Sequence, residues 1–245
     1  MRRIRAVTYN IHKCRGMDGR VKPARIAEVL RQIDADVIAL QEVLWVPDRS
    51  PELDQARYLA DQLGFNVALG ENRKIRGGAY GNVVLSRYGV RSHCNFDISV
   101  RGREQRGCLR TDVELEPKLV MHVFNVHLGT AFLERRHQAR RLLEAELIGS
   151  RELEGPRLVM GDFNEWTSGL TTQLLTTEFR GADIRAHLGR SVTYPGVIPF
   201  MHLDHIYYDD DLALESVRVH RTRTALMASD HLPLVADFAL RERSR

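Results

Sequence analysis

Two stretches early in the chain repeat apolar residues at helical spacing. After Pro23 the apolar residues return every three or four positions, at Ile26, Val29, Leu30 and Ile33. This is the spacing of one buried helix face, and proline favours the first turn of a helix, so we expect a helix that begins at Pro23. A second helix is predicted from Pro51 to Leu63, because Gly64 directly follows its last apolar residue.

Short apolar runs predict β-strands around these helices. The runs cover residues 4–11, 37–40, 83–85, 108–115, 120–126, 157–160, 203–208 and 234–240. Strands alternate with helices in the first third of the chain, whereas in the middle only short turns such as 116–118 separate them, as between antiparallel neighbours. One further helix is predicted from about Leu133 to Ile148. Together these elements predict an α/β sandwich with mixed sheets.

Length and composition bear on the number of domains. The chain has 245 residues, of which 43% are hydrophobic, and this is enough to bury a sizeable core. It contains no internal repeat, no low-complexity tract and no linker rich in Pro, Gly and Ser. A length in this range suits one large α/β domain. We therefore predict a single domain over residues 1–245.

Charge and cysteine content restrict the possible partners and compartments. Lys and Arg total 36 against 32 Asp and Glu, a formal net charge of +4. This excess suits an anionic substrate, but an ordinary soluble protein with a slightly basic surface explains it equally well. The three cysteines, Cys14, Cys94 and Cys108, show neither zinc-site spacing nor a disulfide framework. With no apolar secretory or membrane segment, we predict a cytoplasmic monomer without a membrane anchor.

Polar residues follow or end several of the predicted strands, where a rigid scaffold holds them outside the core. These residues are Asn10, Glu42, Asn82, His127, Asp162, Asn164, Asp204, Asp230 and His231. Each one alone has an ordinary explanation. A lone Glu after a strand is usually a solvated strand end, a lone His is usually a satisfied polar residue, and Asp204 or Asp230 alone suits a helix cap or turn.

The full set, in this order, resembles the endonuclease/exonuclease/phosphatase superfamily. Gly-Asp-Phe-Asn at 161–164 and Ser-Asp-His at 229–231 are the most specific motifs, and the resemblance runs from Asn10 to His231. It implies a DNase I-like fold, which is a four-layer α/β sandwich of two mixed β-sheets flanked by helices. It also implies a metal-dependent hydrolase of phosphoric esters.

The resemblance implies a metal site near the start of the chain. Glu42 matches the family's principal metal-binding carboxylate, and Asn10 matches the amide that supports the same ion. Asp230 matches a neighbouring acid that touches a metal or its waters. Hard oxygen ligands of this kind suit Mg²⁺ or Mn²⁺ rather than zinc, which prefers imidazole and thiolate.

Five further residues match catalytic positions of the family. Asp162 would orient or deprotonate the attacking water, and Asn164 would hold a phosphate oxygen. The two are separated by one residue, so on an extended segment their side chains face the same side. His231 matches the catalytic histidine, and Asp204 matches the acid that fixes its tautomer. His127 matches a residue that stabilises charge developing on the phosphoryl oxygens.

Three residues are candidates for substrate contact. Asn82 is predicted to contact or order the cluster of site residues. Arg106 and Arg110 follow a flexible Arg-Gly-Arg stretch, and we predict that they reach a substrate phosphate, although ordinary surface roles are equally open. Trp45 and Trp166 follow the motifs of Glu42 and Asn164 closely, where they either line the cleft or pack at its rim.

A second group of arginines has an ordinary interpretation. The predicted helix 133–148 carries Arg135, Arg136, Arg140 and Arg141. These resemble a nucleic-acid stripe, but a solvated helix face is the favoured interpretation because the same helix also carries core leucines.

The sequence favours a phosphodiesterase that acts by metal-assisted in-line attack of water. A net charge of +4 without a long basic insertion favours a small diester or a lipid head group over duplex DNA. A DNA or RNA nuclease is the alternative. A catalytically inactive phosphate-binding module is the second alternative, disfavoured because every acidic, amide and imidazole position is filled. Tyr9-Asn10 and Val126-His127 differ from the abasic-site endonucleases, which disfavours that branch.

Overall fold

Two six-stranded β-sheets form the centre of the protein in a computed structural model, which describes residues 2–144, 147–150, 153–165, 169–182 and 203–241. The first sheet contains β1 (Arg3–Asn10), β2 (Val37–Trp45), β3 (Asn66–Ile75), β4 (Gly78–Ser86), β11 (Leu212–Val219) and β12 (Leu234–Leu240). Its strand order is β11-β12-β1-β2-β4-β3. It therefore combines the first and last parts of the chain.

The second sheet is built from the middle of the chain. It contains β5 (Gly89–Asp97), β6 (Gly107–Glu116), β7 (Leu119–His127), β8 (Arg157–Asp162), β9 (Arg180–Gly181) and β10 (Asp204–Tyr208). The strand order is β5-β6-β7-β8-β10-β9. Both sheets are mixed, since β1 and β2 are parallel, β7 and β8 are parallel, and the other pairs are antiparallel.

Helices cover the outer faces of both sheets. They are α1 (Pro23–Ile33), α2 (Gln55–Leu63), α3 (Phe132–Leu142), α4 (Leu170–Leu175) and α5 (Arg223–Ala228). One apolar cluster joins the first sheet to α1, α2 and α5, a second joins the two sheets, and a third joins the second sheet to α3 and α4. This is the four-layer DNase I-like sandwich that the resemblance implies.

Strand alternation explains how the first sheet contributes to two of these clusters. In β1, Ile4 and Ala6 lie in the cluster between the sheets, whereas Val7 and Tyr9 lie in the cluster with the helices. Successive side chains of a strand point to opposite faces, so a strand covered on both faces is apolar at nearly every position. No helix in the described ranges is long and apolar enough to cross a membrane.

Several helix boundaries differ from the sequence prediction. The helix predicted from Pro51 begins at Gln55, because the residues before it form a turn in which the Leu53 and Asp54 amides donate to the Ser50 carbonyl. The helix predicted from Leu133 to Ile148 spans Phe132–Leu142. Helices α4 and α5 were not predicted, and each is only six residues long.

Candidate active site

The parallel strand pairs bring the carboxyl ends of β1, β2, β7 and β8 to one end of the sandwich. Asn10 is the last residue of β1, His127 the last of β7 and Asp162 the last of β8. Asp204 begins β10 and pairs directly with Asp162, since β10 runs antiparallel to β8. Both sheets therefore contribute polar residues to one cleft.

Glu42 reaches the same cleft from within β2. The pairing of β2 with β4 shifts register between Leu40 and Val43, and Glu42 has a φ of 57°. A bulge of this kind turns a side chain away from the regular alternation of the strand. A left-handed backbone is unfavourable for a residue with a Cβ and occurs mainly where the surrounding structure enforces it, often at functional sites.

Asp162 lies at the centre of the site. Its Oδ2 accepts a hydrogen bond from Asn10 Nδ2 at 3.0 Å, and its Oδ1 accepts one from the Asn164 amide at 2.9 Å. The same Oδ2 atom lies 3.6 Å from Nε2 of His127 and 3.6 Å from Nε2 of His231. Burial raises the pKa of Asp162 to about 6, although the His231 charge opposes this shift. The carboxylate is thus a weak base that is mostly ionised at neutral pH.

The turn after β8 places Asn164 beside Asp162. Asn164 has a φ of 48°, and its backbone amide donates to the Asp162 carboxylate. Its side chain Nδ2 donates to the Leu128 carbonyl at 2.8 Å. Both residues line the cleft, as predicted, but a tight turn rather than strand alternation brings them together.

His231 lies between two buried carboxylates. Its Nδ1 is 3.0 Å from Asp204 Oδ2, and its Nε2 faces Asp162. Burial alone would lower the pKa of His231, but the Asp204 and Asp162 charges outweigh it and raise this pKa to about 10. The imidazole is therefore protonated at neutral pH. The Ser229 hydroxyl donates to the Asn10 carbonyl at 2.9 Å and thereby ties this segment to the end of β1.

His127 has the opposite protonation state. Its Nδ1 lies 3.0 Å from Nη1 of Arg106, and both side chains are buried. Burial and the Arg106 charge hold the pKa of His127 well below its ordinary value. The second Arg106 nitrogen, Nη2, donates to Glu104 Oε2 at 3.0 Å. The two histidines of the site thus differ in charge, one neutral and one positive.

Carboxylates and an amide form the other end of the cleft. Asn10 Nδ2 lies 3.3 Å from Glu42 Oε1, and Asn10 Oδ1 accepts from the His12 amide at 3.0 Å. Lys13 Nζ lies 3.2 Å from Glu42 Oε2, and His12 Nδ1 lies 3.2 Å from Asp230 Oδ1. Burial would raise the pKa of Glu42, but Lys13 and the Asn10 hydrogen bond lower it.

The chemistry of these groups fits a hard divalent cation near Glu42. Carboxylate oxygens of Glu42, Asp162 and Asp230 all line the same cleft, and such oxygens are preferred by Mg²⁺ and Mn²⁺. Asp162, Asp204 and His231 also lie close enough to share an ion, with ligand atoms within 4.8 Å of one another. A protonated imidazole cannot ligate a cation, so the Glu42 end fits an ion better.

The cleft has a volume of about 770 Å³. The described residues that line it are Asn10, Glu42, Glu104, Arg106, His127, Thr130, Phe132, Arg135, Asp162, Asn164, Leu203, Asp230 and His231. Eight of the predicted site residues are among them, and Asp204 contacts His231 directly behind the cleft.

The structure does not bring Asn82 or Arg110 to the cleft. Asn82 is fully buried between the sheets, where its Nδ2 donates to the Gly107 carbonyl at 2.9 Å and the Asn125 carbonyl at 3.2 Å. Arg110 lies farther along β6 and donates to both Asp112 oxygens, at 2.9 and 3.0 Å, beside a separate pocket. Asn82 thus joins backbone carbonyls of the second sheet, and Arg110 is neutralised away from the cleft.

Some cleft residues were missed or interpreted differently from the sequence. Arg135 was expected on a solvated helix face, but it is buried at the cleft and donates to the Gly129 and Thr130 carbonyls. Phe132 carries no motif signal and was not predicted to reach the site. Trp45 packs in the core with α1 and α2, whereas Trp166 lies outside the described residues.

The fold and this row of acids, amides and imidazoles define a DNase I-like phosphoesterase. The chain belongs to the Endonuclease/Exonuclease/phosphatase family, whose sequence profile matches residues 7–231. YbhP of Escherichia coli K12, an uncharacterized protein, is 32% identical over 249 residues, which cover 96% of this chain and 96% of YbhP.

Solved structures share the fold across the whole sandwich. An endonuclease/exonuclease/phosphatase family protein from Bacteroides thetaiotaomicron superposes with a TM-score of 0.81 and 16% identity, over 99% of this chain and 97% of its own. A mannosyl-6-phosphatase from the same species superposes with a TM-score of 0.77 and 16% identity, over 97% of this chain and 100% of its own. At these identities the likeness shows the fold alone.

Proposed function

We propose that this protein is a Mg²⁺- or Mn²⁺-dependent phosphodiesterase that hydrolyses a small phosphodiester or a lipid head-group ester by in-line attack of water. The observation that carries the proposal is the position of Asp162. A buried carboxylate with a pKa raised to about 6 lies beside one protonated and one neutral imidazole. Such a carboxylate can orient a water and accept its proton at neutral pH.

The two histidines suit different oxygens of the reacting phosphate. His231 is held in its protonated form by Asp204, so it supplies a positive charge and a donor to a phosphoryl oxygen. His127 supplies a neutral N–H at Nε2. Asn164 uses one amide hydrogen for the Leu128 carbonyl, which leaves the other for a phosphoryl oxygen. Donors fixed in this way stabilise charge that develops on phosphoryl oxygens during attack.

Glu42 and Asp230 would hold the divalent cation, and Asn10, whose amide nitrogen donates to Glu42, would support the site by orienting that carboxylate. When bound, such an ion supplies Lewis-acid stabilisation of the phosphoryl and leaving oxygens. The carboxylates at this end of the cleft are already ionised, since both Glu42 and Asp230 have lowered pKa values. Burial opposes these shifts, but nearby cationic side chains and hydrogen bonds outweigh it. Ionised oxygens bind such a cation without first releasing a proton.

The cleft lining supports a small substrate with an apolar group. Phe132 lines the cleft and is 59% exposed, and the adjacent Leu133 is 73% exposed. The exposed Phe132 ring thus offers an apolar surface within the cleft against which an apolar group of a substrate can pack. The two lining arginines, Arg106 and Arg135, already donate to protein acceptors. Among the described residues that line the cleft, few cations are therefore left to grip the backbone of a duplex.

The experiment that tests the proposal measures hydrolysis of bis-p-nitrophenyl phosphate with Mg²⁺ or Mn²⁺ and after chelation by EDTA. We expect activity only with the metal. Glu42→Gln, Asp162→Asn and His231→Ala should each lower kcat at least about a hundredfold while the fold survives. Arg110→Met is the matched control, because Arg110 lies away from the cleft. Undiminished turnover in EDTA, or in all three variants, contradicts the proposal.

A substrate panel separates the proposed function from a nuclease. It compares a small diester, a lysophospholipid, single-stranded DNA, duplex DNA and a hexose 6-phosphate at two salt concentrations. The monoester is included because one fold neighbour is a mannosyl-6-phosphatase. We expect the small diester or the lipid to be cleaved best. A preference for duplex DNA that falls steeply with salt would establish the nuclease instead.

A further inference from the structure

Three consecutive residues after β1 have a left-handed backbone. His12, Lys13 and Cys14 have φ values of 44°, 54° and 56°, and none of them is glycine. Single residues in this conformation are uncommon, and runs of them are rarer because each Cβ crowds the following carbonyl. Glu42 and Asn164, which line the cleft, are left-handed as well. Unfavourable backbone is therefore concentrated around the site.

The surrounding structure enforces this turn from several sides. The Asn10 side chain accepts from the His12 amide at 3.0 Å, and Gln55 Nε2 donates to the Lys13 carbonyl at 2.7 Å. The Cys14 amide donates to the Ile11 carbonyl at 2.7 Å, and the Cys14 side chain is buried in the core. The turn is thus fixed in place and orients the two side chains that precede Cys14.

The turn places Lys13 beside the Glu42 carboxylate and His12 beside the Asp230 carboxylate. Lys13 Nζ lies 3.2 Å from Glu42 and 5.3 Å from the centre of the Tyr80 ring. His12 Nδ1 lies 3.2 Å from Asp230. The Lys13 side chain is 45% exposed, so it can leave Glu42 without disturbing the core. A partly exposed ion pair of this kind contributes little stability and does not by itself account for an unfavourable backbone.

We propose that Lys13 acts as a counter-cation of Glu42 and competes with the divalent cation for that carboxylate. The inference rests on the proposed function, because it takes Glu42 as a ligand of the ion. Two cations cannot occupy the same carboxylate without repulsion, so the ion must displace or tolerate the ammonium group. Lys13 therefore lowers the affinity of the site for its metal. In the metal-free protein its ammonium group holds the Glu42 carboxylate in place.

Direct metal binding tests this competition. Titration of Mn²⁺ into the full chain, followed by electron paramagnetic resonance, gives the dissociation constant without substrate. We expect Lys13→Met to bind Mn²⁺ about tenfold more tightly than the wild type. Removal of one positive charge close to the ion should change the dissociation constant by about a factor of ten. Lys13→Arg, which keeps the charge, should stay close to the wild type.

Lys118→Met is the matched control for the loss of a charge. Lys118 is exposed and left-handed, with a φ of 76°, but it lies in the turn before β7, at the opposite end of that strand from His127. Its replacement should leave Mn²⁺ affinity unchanged. If the wild type binds Mn²⁺ and Lys13→Met binds it equally or more weakly, the proposed role of Lys13 is overturned, whereas the proposed function stands. Absence of Mn²⁺ binding by the wild type overturns the metal site and the proposed function together.

A second measurement uses the unmodified sequence. Reductive ¹³C-methylation labels the lysine amines, and the Lys13 resonance is assigned by its loss in Lys13→Arg. Addition of Mg²⁺ should shift this resonance and leave that of Lys118 in place, because the ion displaces the amine from Glu42. A Lys13 resonance that does not move as Mg²⁺ saturates the site contradicts the competition.

Discussion

Nη1 of Arg106 donates to Nδ1 of His127 across 3.0 Å. A guanidinium group has only donors, so Nδ1 of His127 must carry the lone pair and Nε2 must carry the proton. The Nε2–H group then faces the cleft and the Asp162 carboxylate, 3.6 Å away. Arg106 is therefore a positioning residue that fixes the tautomer of His127.

The role of Arg106 predicts the effect of removing it. Arg106→Met should lower kcat about a hundredfold, since His127 no longer presents one fixed donor to the phosphate. Arg106→Lys should recover part of this loss, because an ammonium group also only donates. Nitrogen-15 NMR of the His127 ring in Arg106→Met should show both tautomers. Arg110→Met is the control; a single Nε2–H tautomer in Arg106→Met would refute the tautomer argument.

Asp204 and His231 should act as one unit. Asp204→Asn should lower kcat at least about a hundredfold, because a neutral amide no longer stabilises the positive charge of the His231 imidazole. The double variant with His231→Ala should be hardly slower than His231→Ala alone. The measurement is kcat for the two single variants and the double variant. If the two losses multiply in full, the residues act independently.

The pKa shifts predict a broad pH profile for kcat/KM. In the proposed reaction Asp162 is the base, and its pKa of about 6 predicts that activity rises as pH increases through this value. The proposed reaction uses His231 in its protonated form, so we expect activity to fall as pH increases through about 10. The Asp204 charge contributes to the raised pKa of His231, so Asp204→Asn should move the alkaline limb to lower pH. If the alkaline limb stays at the same pH in Asp204→Asn, that limb does not report the ionisation of His231.

The left-handed turn predicts an inverted preference between glycine and alanine. At Lys13, with a φ of 54°, the Gly variant should be more stable than the Ala variant by about 1 kcal/mol, since Gly has no Cβ to crowd the carbonyl. Arg57, an exposed residue inside helix α2, is the control, and there Ala should be more stable than Gly by about 1 kcal/mol. Urea unfolding measures both pairs. The same order at both positions would contradict a backbone origin.

The sequence predicted the central strands of both sheets and missed their edges. The apolar runs correspond to β1, β2, β4, β6, β7, β8, β10 and β12. The missed strands, β3, β5, β9 and β11, are the four edges of the two sheets. Edge strands are less buried and carry polar residues that prevent further pairing, so they show no apolar run. In β5, for example, most side chains are exposed.

The site was predicted best where a motif coincides with a strand end. Asn10, His127 and Asp162 are such residues, and the structure brings them together. Asn82 and Arg110 do not lie at the strand ends that form the cleft. Asn82 makes buried hydrogen bonds between the sheets, and Arg110 forms an ion pair with the nearby Asp112. The bulge at Glu42 and the burial of Arg135 at the cleft depend on tertiary contacts, which a local sequence pattern does not reveal. The single domain over residues 1–245 stays a prediction.

The order of strands in the first sheet has a consequence during synthesis. Asn10 and Glu42 lie near the start of the chain and are synthesised early, whereas Asp230 and His231 precede β12, the last described strand along the chain, which pairs with β1. Proteins are synthesised from the amino end, and domains form as their parts emerge. A ribosome-bound chain that has exposed only its first 200 residues lacks Asp230 and His231, which both line the cleft. The cleft is therefore complete only after residue 231 has left the ribosome.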